Sequence, residues 1–91
     1  MSTTAWFNLD GIAGKPAGRM IHYDLCADAL VTLEIYDMLG KRVRTLVESK
    51  VQHPGHYDVF WDSCDRMGKT MHPGCYLYEL HADSVGKQPG R

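Results

Sequence analysis

From residue 20 onward, apolar and polar side chains alternate with a period of two, and no stretch holds apolar residues at helical i, i+3, i+4, i+7 spacing for three turns. The chain therefore reads as all-β. In Met20-Ile21-His22-Tyr23-Asp24-Leu25 the alternation turns Ile21, Tyr23 and Leu25 inward and leaves His22 and Asp24 to water. Val31-Thr32-Leu33-Glu34-Ile35-Tyr36-Asp37 repeats the pattern with Val31, Leu33 and Ile35 buried, and its β-branched and aromatic residues suit a pleated surface. Asp37-Met38-Leu39-Gly40 follows, with Asp first and Gly fourth, as a type I turn closed by a left-handed residue requires, and it predicts a hairpin. The returning strand, Arg42 to Val47, sets Val43, Thr45 and Val47 on one face but leaves Leu46 out of phase, which predicts a bulge or a local twist.

His-Pro-Gly occurs at 53–55 and again at 72–74, each time ahead of an aromatic strand. Pro second and Gly third favour a type II corner. The strands beyond bury Tyr57, Val59 and Trp61 in one case and Tyr76, Tyr78 and Leu80 in the other. Strands separated by such turns describe a small sandwich. The boundaries are an irregular segment 1–18 that packs on the sandwich, with Trp6 and Phe7 capping the core; the sandwich itself, 19–83; and a polar tail, 84–91. The expected core comprises Tyr23, Val31, Leu33, Ile35, Val43, Tyr57, Val59, Trp61, Tyr76, Tyr78 and Leu80.

Composition narrows the function. Ten basic against eleven acidic residues give a formal charge of -1, so the electrostatic footprint for nucleic acid or an anionic membrane is missing. No run approaches the ~20 apolar residues of a membrane span, and no signal peptide is visible at the start of the chain. Cys26, Cys64 and Cys75 are too few and too odd in number for a disulfide scaffold and are expected to be reduced. Gly11-Ile12-Ala13-Gly14-Lys15 has the wrong glycine spacing for a phosphate loop, and Pro16 stands where Ser or Thr would meet magnesium. No Gly-x-Ser-x-Gly elbow supports a hydrolase.

The order of signals from Ile21 to Leu80 resembles the immunoglobulin-like module of the flagellar hook-capping protein and its relatives at the C-termini of secreted bacterial proteins. Ile21, Tyr23 and Leu25 look like the first strand of that family. Val31, Leu33, Ile35, Tyr36, Asp37, Gly40, Lys41, Val43, Arg44 and Leu46 look like its central hairpin. Trp61, Asp62, Asp65, Gly68, Gly74, Tyr76, Tyr78 and Leu80 fall in register with its most specific element. Ser63 stands where the family usually has Gly, Met71 where it has Val, and Tyr57 where a His is common. Relatives continue into a final strand, whereas Asp83 to Arg91 offers one apolar residue, so the sandwich is expected either to lack its last strand or to pair it poorly. The unpaired edge would then invite another chain.

What the resemblance implies is an immunoglobulin-like β-sandwich and a non-enzymatic module, without cofactor, that attaches, spaces or sorts a larger extracellular or appendage protein. Its partners would be the parent polypeptide or other protein subunits, at the cell surface or outside it. The expected contact residues are Tyr36, Phe60 and Leu77, apolar at outward positions, and the sheet edge near Val85. One alternative is a structural subunit that self-assembles through the unpaired edge. Another is a small metal domain, with zinc drawn to Cys64, His72 and Cys75 or calcium to Asp62 and Asp65; the ligand spacing for zinc and the oxygen count for calcium both fall short, and Asx-turns account for the two aspartates. Sugar stacking on Trp6, Tyr36 and Phe60 is weaker again, because no polar groups accompany them.

Overall fold

The computed structural model describes residues 2–12 and 15–84. Among them the strands are β1 (Ser2–Leu9), β2 (Gly11–Ile12), β3 (Lys15–Pro16), β4 (Arg19–Leu25), β5 (Ala29–Tyr36), β6 (Arg42–Gln52), β7 (Gly55–Trp61) and β8 (Gly74–Ser84). One sheet has the order β1-β8-β5-β6; β4 and β7 form a second, and β2 with β3 a short hairpin. Every pairing between these strands is antiparallel. The two larger sheets face one another as an immunoglobulin-like sandwich, with Phe7, Ile21, Val31, Leu33, Ile35, Val43, Trp61, Tyr76 and Leu80 in the shared core. No helix among the described residues is long and apolar enough to cross a membrane.

The alternation places the inward side chains of β4 and β5 as expected: Ile21, Tyr23 and Leu25 are buried, and Val31, Leu33 and Ile35 are wholly so. Three expected core residues, Tyr57, Val59 and Tyr78, are only partly buried and pack at its margin. The bulge also falls where Leu46 loses phase. Leu33 lies opposite Val47 and Glu34 opposite Thr45, so Leu46 is the extra residue, and it packs against the core from its edge.

The first eighteen residues correct the sequence reading. Ser2–Leu9, expected to be irregular, is a full strand paired along its length with β8. Phe7 and Leu9 enter the core, while Trp6 turns outward and is 58% exposed, so only Phe7 of the expected pair serves the core. The physical reason is a short alternation, Ala5-x-Phe7-x-Leu9, cut off by the glycine-rich stretch that forms β2 and β3. β8 is consequently an interior strand, with β1 on one side and β5 on the other, and no free edge runs beside it. The uncovered edges of this sheet, among the described residues, belong to β1 and β6. β8 also runs to Ser84, one residue beyond the expected end of the sandwich.

Two identical turns hold the loops. In Asp37-Met38-Leu39-Gly40-Lys41 the Asp37 Oδ1 accepts the Leu39 and Lys41 N–H groups at 2.9 Å, and Gly40 takes a φ of 83°. In Asp65-Arg66-Met67-Gly68-Lys69 the Asp65 Oδ1 accepts Met67 and Lys69 at 2.9 Å, and Gly68 takes 86°. The two His-Pro-Gly corners are also alike: Tyr57 and Tyr76 each donate their hydroxyl, at 2.7 Å, to the carbonyl of the histidine four residues earlier. Gly55 and Gly74 both sit at φ 151°, in glycine's own territory but beyond the ~80° of the expected type II turn.

Ser63 carries strain. It is a non-glycine residue at φ 72°, 1% exposed, and its hydroxyl has no partner among the described residues. Ser63→Gly is therefore expected to raise stability by about 1 kcal/mol, since relief of the left-handed backbone and the buried hydroxyl outweighs the entropy of glycine. Gly74→Ala is expected to lower it by about 1–3 kcal/mol through backbone strain alone, because nothing crowds an added Cβ there. Urea unfolding of both variants checks the pair; a destabilised Ser63→Gly would refute the strain argument.

Candidate docking surface

On the outward face of the four-stranded sheet the register aligns Trp6, Leu77 and Tyr36 in one row across β1, β8 and β5. The row ends at Arg42 on β6. The neighbouring row contains Glu79 directly opposite Glu34, a like-charge pairing that would cost stability unless it were neutralised. Arg42 does so, its Nη1 donating to Glu34 Oε2 at 3.1 Å, and the Tyr36 hydroxyl donates to Glu34 Oε1 at 3.0 Å. His81 Nε2 lies 3.4 Å from Glu79 Oε1, and its Nδ1 shares a hydrogen bond with the Ser2 hydroxyl at 2.8 Å. Burial of the Tyr36 phenol, then its hydrogen bond to Glu34 and the charges of Glu34 and Glu79, push its pKa up to about 12.

The expected contact residues do not make one patch. Tyr36 and Leu77 share the face just described, joined by Trp6. Phe60 is 55% exposed on the outward face of β4 and β7, the other side of the sandwich, where Met20 lies opposite it. Val85 lies outside the described residues.

Among the residues of the alternative metal reading, both aspartates are engaged elsewhere. Asp62 Oδ1 accepts the Cys64 N–H and the Arg44 guanidinium, each at 3.0 Å, which holds its carboxyl below the ordinary range. Asp65 is committed to its turn. Cys64 bridges to Thr70 across the loop, while Cys75 is the second residue of β8, after the corner in which the His72 carbonyl accepts the Tyr76 hydroxyl. Cys26, Cys64 and Cys75 are free thiols.

Sequence reading missed a different constellation. His-Tyr-Asp occurs at 22–24 and at 56–58, and β4 and β7 pair antiparallel with Tyr23 opposite Tyr57. That register sets His22 against Asp58 and His56 against Asp24 on the outward face. His22 Nδ1 lies 2.5 Å and His56 Nε2 2.7 Å from Asp58 Oδ1, and His56 Nδ1 lies 2.8 Å from Asp24 Oδ1. The hydrogen bond from His22 holds the Asp58 carboxyl low, and the bond to Asp24 raises the His56 imidazole. The repeated tripeptide was the available signal.

The family model for the FlgD Ig-like domain matches residues 13–86. The chain belongs to that family. A crystal structure of FlgD from P. aeruginosa is 27% identical, superposes with a TM-score of 0.66, and is matched over 77% of this chain and 54% of that one. The chain thus spans about half the length of that FlgD chain. No curated protein matches it. FlgD-type Ig-like domains are structural and not enzymatic, and β1 lies ahead of the first matched residue.

Because Tyr36 has its pKa raised above the ordinary value of 10, the stability it contributes is fully present below pH 10 and is lost as the pH rises toward about 12. Unfolding measured from pH 9 to 12 is expected to show Tyr36→Phe losing less stability over that window than the parent chain. Equal losses would show that burial and Glu34 do not hold the phenol protonated in the folded chain.

Proposed function

We propose that this FlgD Ig-like domain is a non-enzymatic attachment module of a larger bacterial protein that works outside the cell, and that it docks through the Trp6, Leu77 and Tyr36 row and the adjoining β1 edge. The observation that carries the reading is the character of that edge. β1 is Ser-Thr-Thr-Ala-Trp-Phe-Asn-Leu, eight residues without a charge, and among the described residues it pairs only with β8. The opposite edge is defended. β6 carries Arg42, Arg44, Glu48 and Lys50 and is broken by register shifts, the devices by which edge strands discourage further pairing. An undefended edge next to an exposed tryptophan is the chemistry of strand addition, in which backbone hydrogen bonds give affinity and side-chain rows give specificity.

The same edge favours a second reading, self-assembly, in which two copies of β1 pair across a two-fold axis. Sedimentation velocity over a wide concentration range separates them. The attachment reading expects a monomer throughout, unchanged by chelator. A concentration-dependent dimer that Thr4→Lys abolishes would overturn it in favour of self-assembly, because Thr4 is an exposed β1 residue and a lysine there repels its copy.

A further inference from the structure

The outward face of the β4–β7 sheet is chemically unlike the rest of the surface. Within a strand, residues two apart share a face, so β7 projects His56 and Asp58 together, and the antiparallel register adds His22 from β4. Their ligand atoms, two imidazole nitrogens and a carboxylate oxygen, all lie within 4.8 Å of one another. Both imidazoles already aim a nitrogen at the same Asp58 oxygen, at 2.5 and 2.7 Å. The two rings lie nearly parallel, 16° apart with centroids at 5.9 Å. Behind His56 stands Asp24, whose Oδ1 is 2.8 Å from Nδ1 and so turns Nε2 inward. A carboxylate holding the far nitrogen of an imidazole is the usual support of a metal-bound histidine, fixing its tautomer and raising its basicity.

From this arrangement we propose that His22, His56 and Asp58 form a site for a divalent transition metal ion of the zinc type, with Asp24 as the positioning residue for His56. Two imidazoles and one carboxylate are a zinc donor set, and exposure of all three leaves a further position open to water. The backbone beneath is fixed from the other face. Tyr23 and Tyr57, the middle residues of the two tripeptides, stack at 5.3 Å, and their hydroxyls are tied to Gln52 and to the His53 carbonyl. The ion would bridge the two strands of a two-stranded sheet, the least self-sufficient element of a sandwich. A second group, Glu34, Glu79 and His81, also converges, but Arg42 is bonded to Glu34 and opposes a cation there.

Zinc titrated into the intact chain at about pH 8 is expected to bind one ion per chain by calorimetry and to raise the melting temperature reversibly. His22→Ala and His56→Ala should each weaken binding at least ~10-fold, and Asp24→Asn by about 10-fold through loss of support alone. These positions are exposed, so far-UV circular dichroism should show the variants folded; His81→Ala should leave affinity unchanged. Co²⁺ in place of zinc should give ligand-field bands without a thiolate charge-transfer band. No binding heat, binding that survives His22→Ala, loss of binding with His81→Ala, or a thiolate band from the free cysteines would each overturn the assignment.

Discussion

The two sheets of this domain meet on Trp61. It ends β7, is wholly buried, and packs edge-on against Phe7 of β1 at 6.0 Å and Tyr76 of β8 at 5.3 Å. Burying one such ring is worth roughly 5 kcal/mol by area, comparable to the whole net stability of many small domains. Its indole N–H cannot be left unpaired at that depth, and it donates to the Cys64 carbonyl at 2.9 Å. That bond ties the indole to the loop that contains the strained Ser63 and continues into the Asp65 turn, whose Arg66 N–H reaches the Val43 carbonyl at 3.1 Å. One side chain thus couples both sheets to the loop between β7 and β8. Arg19 lies 5.6 Å over the Phe7 ring from the first residue of β4, closing the same aromatic cluster from the solvent side.

Much of this was legible because its causes are local. Asp37 to Gly40 turns as its residue types require, since one carboxylate can cap two N–H groups only when the chain bends there, and Gly40 accepts the positive φ that closes the bend. Leu46 announced its bulge by losing phase with Val43 and Val47. The inward sets of β4 and β5 followed from alternation. Strand β1 did not, because Ala5, Phe7 and Leu9 give only a brief alternation, and its partners lie 65 to 79 residues away in β8. Alternation tells which face a residue takes and nothing about its neighbour strand. The expected free edge beside Tyr76, Tyr78 and Leu80 was lost for that reason, and alternation likewise does not show that Phe60 lies on the other sheet from Tyr36 and Leu77.

The same limit hid the histidine and aspartate constellation. His22 and Asp24, like His56 and Asp58, were each readable as outward residues on a strand, but their convergence depends on pairing Tyr23 with Tyr57. A His-Tyr-Asp tripeptide is self-complementary in an antiparallel pair: aligning the tyrosines crosses each histidine onto the other strand's aspartate. The inward tyrosines then set the register that the outward polar groups reward, so a slip by one residue would lose the stacking and both His–Asp hydrogen bonds together.

The division of labour between the two outer faces follows from how each sheet is held. The four-stranded sheet is secured by its width and by the aromatic core, so its outward row of Trp6, Leu77 and Tyr36 can remain apolar and its β1 edge uncharged without threatening the fold. The two-stranded sheet has no such width. Its outward side chains add cross-strand hydrogen bonds between β4 and β7, at His22 and Asp58 and at His56 and Asp24. Cross-strand polar pairs cover the centre of the narrow sheet, whereas the wide one keeps an apolar row beside its charged row. That asymmetry, more than any single exposed residue, is the physical reason to look for partners on the face that carries Trp6.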